Sequence, residues 1–300
     1  MKLYPKISVK ILFLIAILLT ITSLSSKTNG RHTLYSSYKT DCQYDPFRLY
    51  DEEDSTKVDF STAYKNWLTP DSTENIKDFT HKLIEDKYTF QTTLFSSKVY
   101  IIEDETDSSL NYWDTIPSNG ILGKNYTRIE MYIDPQIEQK DSLIFQIHGK
   151  SKVKNIICDF AGEIHIEHIY GYWNYGLNFP KEYRIVGSYF LNENKKQYGS
   201  GTFQGTYSSY CYIDEKQKTV LLYDLFYIAD GYENRNFVGT WTNHKTKEKK
   251  KCIWGDNRLP YTFDFDIGDG SMVINPKYNS IEWEQWKSDI PSKQWWKNTN

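Results

Sequence analysis

The sequence lacks a strong charge of either sign. Its 300 residues include 36 Lys and Arg against 39 Asp and Glu, which leaves a formal net charge of −3 at pH 7. A chain this close to neutrality creates no overall field that would draw the phosphates of a nucleic acid to it. We therefore expect no nucleic acid among its partners.

Familiar catalytic signatures are also missing. The sequence contains no Gly-x-Ser-x-Gly elbow, no Walker loop and no His-Glu-x-x-His motif. The glycines of "GSGTFQG", residues 199–205, stand at its first, third and seventh positions, whereas a dinucleotide-binding loop needs one at the sixth. These absences disfavour common hydrolases and nucleotide enzymes and predict no bound cofactor, but they leave catalysis as such open.

Cysteine is scarce, with four residues in the chain: Cys42, Cys158, Cys211 and Cys252. Their separations are much longer than those of a Cys-x-x-Cys redox or zinc motif. In an oxidising compartment, four cysteines allow two disulfides. Cys211 and Cys252 both fall in strand-like segments of the C-terminal half, so this is the pair we expect first. Buried free thiols are the alternative.

A hydrophobic run near the N terminus indicates export. Three lysines precede the uncharged residues 11–24. As a helix these 14 residues would span roughly 21 Å, which is short for a hydrocarbon core of roughly 30 Å. Residues 1–25 are therefore interpreted as a signal peptide, with a retained membrane anchor as the alternative. Either reading predicts a secreted, periplasmic or cell-envelope protein that contacts the membrane only through this segment.

The rest of the chain divides by composition. Residues 26–60 are polar and contain an acidic cluster at 51–54, which is typical of an irregular lead-in or linker. Residues 61–300 are interpreted as a β-rich globular domain, with a candidate sub-boundary at 136–141.

One helix is predicted, near the start of this domain. Asp71 is followed by Glu74 at the spacing of a capping box. Apolar residues then recur at helical spacing: Ile76, Phe79, Leu83 and Ile84. The pattern predicts a helix over about 72–86 that packs its apolar stripe on a sheet.

Beyond this helix the apolar pattern has a period of two. Twelve strand-like segments follow, among them "YTFQTTLF", "GTFQGTYSSYCYID" and "YTFDFDI", and turn-forming residues separate most of them. Aromatic residues, which favour half-buried pleated surfaces, make up 16% of the chain. Strands and helices do not alternate, which disfavours a Rossmann-type fold. We expect a mainly β fold, either an antiparallel sandwich or an up-and-down barrel-like sheet, with the N-terminal helix packed on it.

A repeated triplet favours the barrel. Gly187-Ser188-Tyr189, Gly205-Thr206-Tyr207 and Gly239-Thr240-Trp241 share a glycine–hydroxyl–aromatic pattern. This pattern resembles triplets that start strands in avidin-like and lipocalin-like barrels. The resemblance implies that glycine allows a tight strand bend and that the aromatic residue closes one end of the barrel. It covers nine residues and implies no ligand.

The segment "GEIHIEHIY" contains the candidate metal ligands. On a strand, Glu163, His165 and Glu167 would share one face, opposite Ile164, Ile166 and His168. One imidazole and two carboxylates are ligands that zinc, manganese or iron accept. The alternative is an ordinary solvated strand face.

Two further segments are candidates for ligand contact or catalysis. Tyr172, Trp173 and Tyr175 lie in a glycine-containing stretch and could stack on sugar rings. In "FDFDIGDG", Asp264 and Asp266 are spaced as on a strand that runs into a glycine turn. The segment does not match the ligand spacing of a calcium loop.

Two functions remain open. The first is an exported, non-catalytic binding or structural module whose partner is a glycan or an envelope protein. The second is a hydrolase of a glycan or similar polymer, with metal assistance as an option. Its acid and base would come from a set of four carboxylates: Glu163, Glu167, Asp264 and Asp266. Such chemistry needs two carboxyl groups about 5–10 Å apart across a cleft.

Overall fold

Strands dominate the part of the chain that the structure describes. The structure is a computed structural model, and it describes residues 77–101, 112–171, 183–223, 233–268, 272–288 and 294–297. In chain order its helices and strands are β1 (Lys77–Asp78), α1 (Thr80–Glu85), β2 (Thr89–Phe90), β3 (Lys98–Ile101), β4 (Tyr112–Thr115), β5 (Ser118–Leu122), β6 (Thr127–Ile133), β7 (Glu138–Asp141), β8 (Ile144–Val153), β9 (Ile156–Gly171), β10 (Tyr183–Glu193), β11 (Gly201–Asp214), β12 (Thr219–Leu222), β13 (Glu233–Asn243), β14 (Lys249–Asn257) and α2 (Ile281–Ser288).

Eight of the strands form an antiparallel barrel-like sheet. Their order is β9, β10, β11, β13, β14, β5, β6 and β8, and pairing between β8 and β9 completes the circuit. The mainly β prediction is confirmed, and of its two alternatives the structure has the barrel-like sheet. Smaller strands attach to it: β1 to β9, β7 to β8, and β12 to β11. Residues 136–141, the candidate sub-boundary, include β7.

Aromatic side chains fill the inside of the barrel. Because successive residues of a strand point to opposite faces, alternate residues share the interior. Tyr207, Phe237 and Trp254 are cross-strand partners at one level, and all three are almost completely buried. The ring centroids of Phe237 and Trp254 are 4.8 Å apart, with nearly parallel planes. The interior at this level is therefore a packed core.

The three glycines of the repeated triplet lie where strands approach most closely. A Cβ atom at Gly187, Gly205 or Gly239 would lie 2.0–2.1 Å from a carbonyl oxygen of the neighbouring strand, so only glycine fits. The aromatic residues of the triplets are all buried. They occupy three different levels of the barrel: Tyr189 pairs with Gly205, Tyr207 with Phe237, and Trp241 with Phe203. The expectation that they close one end is wrong.

The helix near the start of the described chain is shorter than expected. It covers Thr80–Glu85, whereas the pattern predicts 72–86. Residues 77–78 instead pair with the end of β9 as a short strand, and the Asp78 carboxylate accepts hydrogen bonds from the backbone N–H (2.9 Å) and the hydroxyl (2.5 Å) of Thr80. Leu83, from the predicted stripe, is buried in the barrel core. Residues 71–76, with the capping box, lie outside the described residues.

The chain after β14 forms a second core on the outside of the barrel. We call the described parts of residues 258–297 the C-terminal belt. Three outward-facing strand residues of the barrel pack against it, Ile121, Val238 and Ile253, together with Tyr126 in the turn between β5 and β6. The belt contributes buried apolar residues: Leu259, Tyr261, Phe263, Phe265, Met272, Ile274 and Trp283. The indole Nε1 of Trp283 donates a 2.7 Å hydrogen bond to the backbone carbonyl oxygen of Tyr126.

The predicted strand through "FDFDI" is wrong. Phe263–Phe265 forms a 3₁₀ turn, and only an isolated bridge between Asp266 and Ile274 has β geometry here. Tyr261 and Phe263 have positive φ angles of 54° and 52°, which no extended strand accommodates. Packing explains the turn, since the Phe265 ring stacks on Tyr126 with centroids 4.9 Å apart.

The expected disulfide between Cys211 and Cys252 is absent. Both residues are free, completely buried thiols, and so is Cys158, with 3% exposure. Cys252 stands level with Gly239, which pairs with Gly205. Cys211 is six residues farther along β11, which is roughly 20 Å at the rise of a strand. A disulfide needs Cα atoms within about 7 Å, so these strands cannot form one.

The N-terminal predictions concern residues that the structure does not describe. The signal peptide or anchor at 1–25, the lead-in at 26–60 and Cys42 all lie outside the described residues. Among the helices of the described part, none is long and apolar enough to cross a membrane.

Candidate functional site

A small pocket opens at the rim of the barrel, where β13 begins and β14 ends. Its volume is about 60 Å³. Apolar and polar residues both line it: Val99, Ile116, Pro117, Ser118, Asn119, Arg235, Gly255, Asp256 and Asn257. We call this site the rim pocket.

A buried ion pair forms one wall of the rim pocket. The Nε of Arg235 lies 2.5 Å from Oδ2 of Asp256, and the two residues are 3% and 8% exposed. Arg235 has a positive φ of 42° at the irregularity in β13 between Asn234 and Phe237. This bulge turns the arginine across the end of the barrel, where β14 supplies its partner.

The same arginine holds a segment that covers the barrel mouth. Its Nη1 donates to the carbonyl oxygens of Thr93 (3.1 Å), Ser96 and Lys98 (3.3 Å). Two residues of that segment, Leu94 and Phe95, are buried in the barrel core. The rim pocket therefore lies outside a closed end and does not lead into the interior.

The Asp256 carboxylate of the rim pocket has unused hydrogen-bonding capacity. Oδ1 of Asp256 accepts a long bond of 3.3 Å from the Ser118 hydroxyl. Oδ1 of Asn119 accepts from Nε of Arg128 at 2.9 Å. The same arginine donates from Nη1 to the carbonyl oxygen of Glu282 in α2 at 3.0 Å, so the Asn119 amide is held on the belt side of β5. The pocket thus presents one carboxylate acceptor, Oδ1 of Asp256.

A further acceptor lies beside the pocket wall. The buried Oδ1 of Asn236 has no hydrogen-bond partner among the residues described. It faces Gly255, where an added Cβ would approach it to 2.2 Å. Glycine at this position makes room for the buried Asn236 amide oxygen.

Comparisons with protein-family models, with curated proteins and with solved structures found no match for this chain. The geometry of its own residues must therefore support any proposal about function.

The opposite end of the barrel contains a second buried carboxylate. Glu193, with 5% exposure, accepts hydrogen bonds from the hydroxyl of Ser151, the backbone N–H of Gly201 (2.5 Å) and Nε1 of Trp241 (2.9 Å). Burial raises the pKa of this carboxyl group, and the three hydrogen bonds act in the other direction. All three groups that donate hydrogen bonds to the Glu193 carboxylate are neutral.

The thiols around this end are chemically quiet. Burial, together with the nearby carboxylates of Glu193 and Asp159, raises the pKa of Cys158 to about 12. The pKa of Cys252 is also raised by burial and by Glu193. Since the thiolate is the reactive form, these cysteines are structural.

The predicted metal ligands lie on the outer face of β9. Oε2 of Glu163 is 2.9 Å from Nε2 of His165, and its Oε1 is 2.9 Å from Nζ of Lys140. These contacts contribute to a lowered pKa of Glu163. Glu167 is exposed at an irregularity in the pairing of β9 with β10. The described residues contain no group of three or more His, Cys, Asp or Glu arranged to hold a metal, and the metal hypothesis stays a prediction.

This irregularity changes which residues share a face. Ile164 and Ile166 are buried as expected, but after Glu167 the next buried residue is Ile169. His168, expected on the isoleucine face, is partly exposed, and its Nδ1 lies 2.7 Å from Oδ2 of Asp78. A bulge shifts the alternation by one residue, which a strict period of two does not predict.

The two aspartates of the belt have different environments. Asp264 is exposed, and it contacts Nζ of Lys277 and accepts a 2.7 Å hydrogen bond from the Tyr278 hydroxyl. Asp266 is buried and paired with Nε of Arg258 at 2.7 Å. Its Oδ1 also accepts from the backbone N–H groups of residues 268 and 273, both at 3.0 Å. These contacts close the turn, so Asp266 is a structural residue.

The four candidate carboxylates do not meet in one cleft. Glu163 and Glu167 are on β9, whereas Asp264 and Asp266 follow β14. In the circuit of eight strands, β9 and β14 are four positions apart and so form opposite walls. The candidate sugar-stacking residues Tyr172, Trp173 and Tyr175 lie outside the described residues.

The residues of the rim pocket are missing from the sequence-based candidates. A signal for them exists in the polar runs "NRN", residues 234–236, and "GDN", residues 255–257. These runs border two strand-like segments joined by a short turn, and hairpin pairing places the start of one strand beside the end of the other. What the pattern does not contain is the bulge that aims Arg235.

Proposed function

We propose that the protein is a non-catalytic binding module and that its partner engages the rim pocket. The observation that carries this proposal is the buried Asp256 carboxylate on the wall of a pocket, where its Oδ1 has only a long contact with the Ser118 hydroxyl. Buried polar groups are usually satisfied, and spare capacity beside a cavity is a common property of ligand sites.

The packed interior supports a scaffold role for the barrel. One level of the interior is filled by Tyr207, Phe237 and Trp254. At the end beside the rim pocket, Phe95 packs into the barrel with its ring centroid 4.4 Å from that of Phe145. A barrel filled in this way holds rim residues in place instead of enclosing a ligand. Binding at the rim is consistent with such a scaffold.

The hydrolase alternative has less support. Of the sequence-based carboxylates, Glu163 and Glu167 lie on β9 and Asp264 and Asp266 in the C-terminal belt after β14. Within the described chain the rim pocket contains one carboxylate, Asp256. Glycosidase chemistry requires two carboxyl groups across a cleft. In the rim pocket the single carboxylate is paired with Arg235, which suits binding better than acid–base catalysis.

The location and partner that we propose rest on the sequence. A basic stretch and a short hydrophobic run at residues 1–24 support export to the cell envelope or beyond. In that compartment, a glycan or an envelope protein is the partner that we propose. Mass spectrometry of the mature N terminus tests export: an intact Met1 in the cytoplasmic fraction would contradict it.

A glycan array with matched variants tests binding at the rim. Ser118→Tyr fills the pocket, and Lys195→Tyr adds the same ring to an exposed turn at the opposite barrel end. We expect the wild type and Lys195→Tyr to bind the same glycans and Ser118→Tyr to lose them. Equal binding by all three proteins, with unchanged melting temperatures, would contradict the rim site. An array without any binder would contradict the glycan partner.

A further inference from the structure

We propose that the end of the barrel opposite the rim pocket docks on a membrane surface with anionic headgroups. Four hairpin turns meet at this end: residues 123–126, 154–155, 194–200 and 244–248. We call them the basic turns. The contact that we propose is additional to the one expected from residues 11–24, and it does not rest on the function proposed for the rim pocket.

Strand register brings the four basic turns to one end. Gly201, directly after one turn, pairs with Asn243, directly before another. Leu122, directly before a third turn, pairs with Cys252 near the start of β14. The fourth turn precedes β9, which begins beside the end of β10. Because the strands form a closed circuit, the turns surround the end of the barrel.

Every basic turn contains at least one exposed lysine. The surface includes lysines of all four turns and one at the start of β14: Lys124, Lys154, Lys196, Lys245, Lys247 and Lys249. The turns contain one acidic residue, Glu248, and it is 3.5 Å from Nζ of Lys250. Lys154 lies 3.9 Å from Glu282, and within the described residues the ammonium groups of the others form no ion pair. This end therefore has positive charge without a counter-charge.

Local charge decides what this end attracts. The net charge of −3 belongs to the whole chain. At physiological salt, charges are screened over roughly 8 Å. A surface that touches the basic turns is therefore attracted by their lysines and is affected little by acidic residues elsewhere on the protein.

The distribution of the lysines favours a planar partner. A linear polyanion follows a groove or stripe of positive charge. Here the lysines are spread over turns that surround the end of the barrel, so a plane reaches more of them at once. Clusters of roughly four to eight basic residues are typical of proteins that bind anionic lipids.

An exposed tyrosine adds an amphipathic contact. Tyr198, in the turn 194–200, is 85% exposed, and Ile156 at the start of β9 is 38% exposed. A Cβ atom added at Gly199 would lie 3.6 Å from the Ile156 side chain, so this isoleucine lies beside the turn that contains the tyrosine. Tyrosine is enriched at membrane interfaces because its ring is apolar and its hydroxyl group is polar. An exposed ring among lysines favours a lipid surface over a purely ionic polymer.

Vesicle co-sedimentation of the full chain tests the inference. Vesicles of pure phosphatidylcholine are compared with vesicles of an equimolar mixture of phosphatidylcholine and phosphatidylglycerol. We expect tighter binding to the anionic vesicles at physiological salt, and we expect this preference to disappear at about 1 M salt, where screening acts within roughly 3 Å. Equal binding to the two vesicle types at physiological salt, or no binding to either, would overturn the proposal.

Two matched double variants locate the contact. Lys196→Gln/Lys245→Gln removes two charges from the basic turns, and we expect it to bind the anionic vesicles roughly 20-fold more weakly. Lys82→Gln/Lys216→Gln removes two exposed charges near the opposite end and should bind like the wild type. If both double variants lost the same affinity, or neither lost any, the basic turns would not be the docking surface.

A soluble polyanion separates a lipid surface from a polymer. We expect Tyr198→Ala to bind the anionic vesicles several-fold more weakly than the wild type and to bind dextran sulfate equally well, because only the bilayer has an apolar region for the ring. Unchanged vesicle binding by this variant would contradict insertion of the ring. If the wild type bound dextran sulfate and neither type of vesicle, the partner would be an anionic polymer and the membrane proposal would be wrong.

Discussion

The two ends of the barrel each bury a carboxylate and balance it differently. At the pocket end, Asp256 is paired with the guanidinium of Arg235. At the other end, Glu193 is held by three neutral donors, and burial raises its pKa. A full counter-charge offsets the cost of burial, whereas neutral hydrogen bonds offset it only in part.

We call the Glu193 end the sealed end, because three donors satisfy its carboxylate. We call the Asp256 end the open end, because a pocket lies outside its covered mouth. The donors to Glu193 come from β8, β11 and β13, so the carboxylate ties three strands together. Asp256 has one strong partner and one long contact, and a pocket lies beside it. We infer that the first end contributes to stability and that the second end has polar capacity left for binding.

The largest expected effect is the loss of the arginine at the pocket end. Arg235→Met leaves a buried, unpaired carboxylate and frees the carbonyl groups that cover the barrel mouth. We expect the free energy of unfolding in urea to fall by about 3–5 kcal/mol. The double variant Arg235→Met/Asp256→Leu should recover most of this loss. A single-variant loss under about 1 kcal/mol would show that the ion pair is not what holds this end.

A smaller loss is expected when the carboxylate at the sealed end is removed. Glu193→Ala leaves the N–H groups of Gly201 and Trp241 buried without acceptors, which should reduce the free energy of unfolding by about 2–4 kcal/mol. Glu193→Gln keeps an oxygen for these donors and should lose less. If the two variants lost the same amount, shape and not hydrogen bonding would explain the effect.

Two serines compare the ends directly. Ser151→Ala removes a buried hydroxyl that donates to Glu193 and should reduce the free energy of unfolding by about 1–2 kcal/mol. Ser118→Ala removes only the 3.3 Å contact to Asp256 at a partly exposed position, and we expect a loss under about 0.5 kcal/mol. The reverse order in urea unfolding would contradict the assignment of sealed and open ends.

The smallest effect is a pH dependence of the sealed end. Because the pKa of Glu193 is raised in the folded protein, the folded state binds its proton more tightly than the unfolded state does. The stability from this group is fully present below its ordinary pKa of about 4.5 and is lost as the pH rises through the raised value. Urea unfolding from pH 4 to 8 should show this loss in the wild type and not in Glu193→Gln. Parallel curves would exclude Glu193 as its cause.

Much of the fold could be predicted from local pattern. The predicted segment "GTFQGTYSSYCYID" coincides with β11, Gly201–Asp214, because a period of two and aromatic residues are strong strand signals. The segment "YTFQTTLF" has the same signals, yet it contains only the two-residue strand β2 and a 3₁₀ turn, Thr92–Leu94. Its course is set by the barrel mouth that it covers, which no local pattern encodes.

The candidate site was beyond local pattern for the same reason. Asn119, Arg235 and Asp256 are far apart in the chain and meet because β5 pairs with β14, and β14 with β13. Glu163 and His165 are candidates from the sequence because they are two residues apart on one strand. The structure places them on an outer strand face beside Lys140. Proximity along a strand is not convergence on a pocket.

The amino-acid sequence by itself determined the secondary structure of the barrel, since apolar alternation and turn residues act over a few neighbouring positions. Only the tertiary structure decided which polar groups are buried together, which cysteines stay apart and where a bulge reverses a face. Those outcomes depend on register and closure between distant strands, where one residue of slip changes every contact.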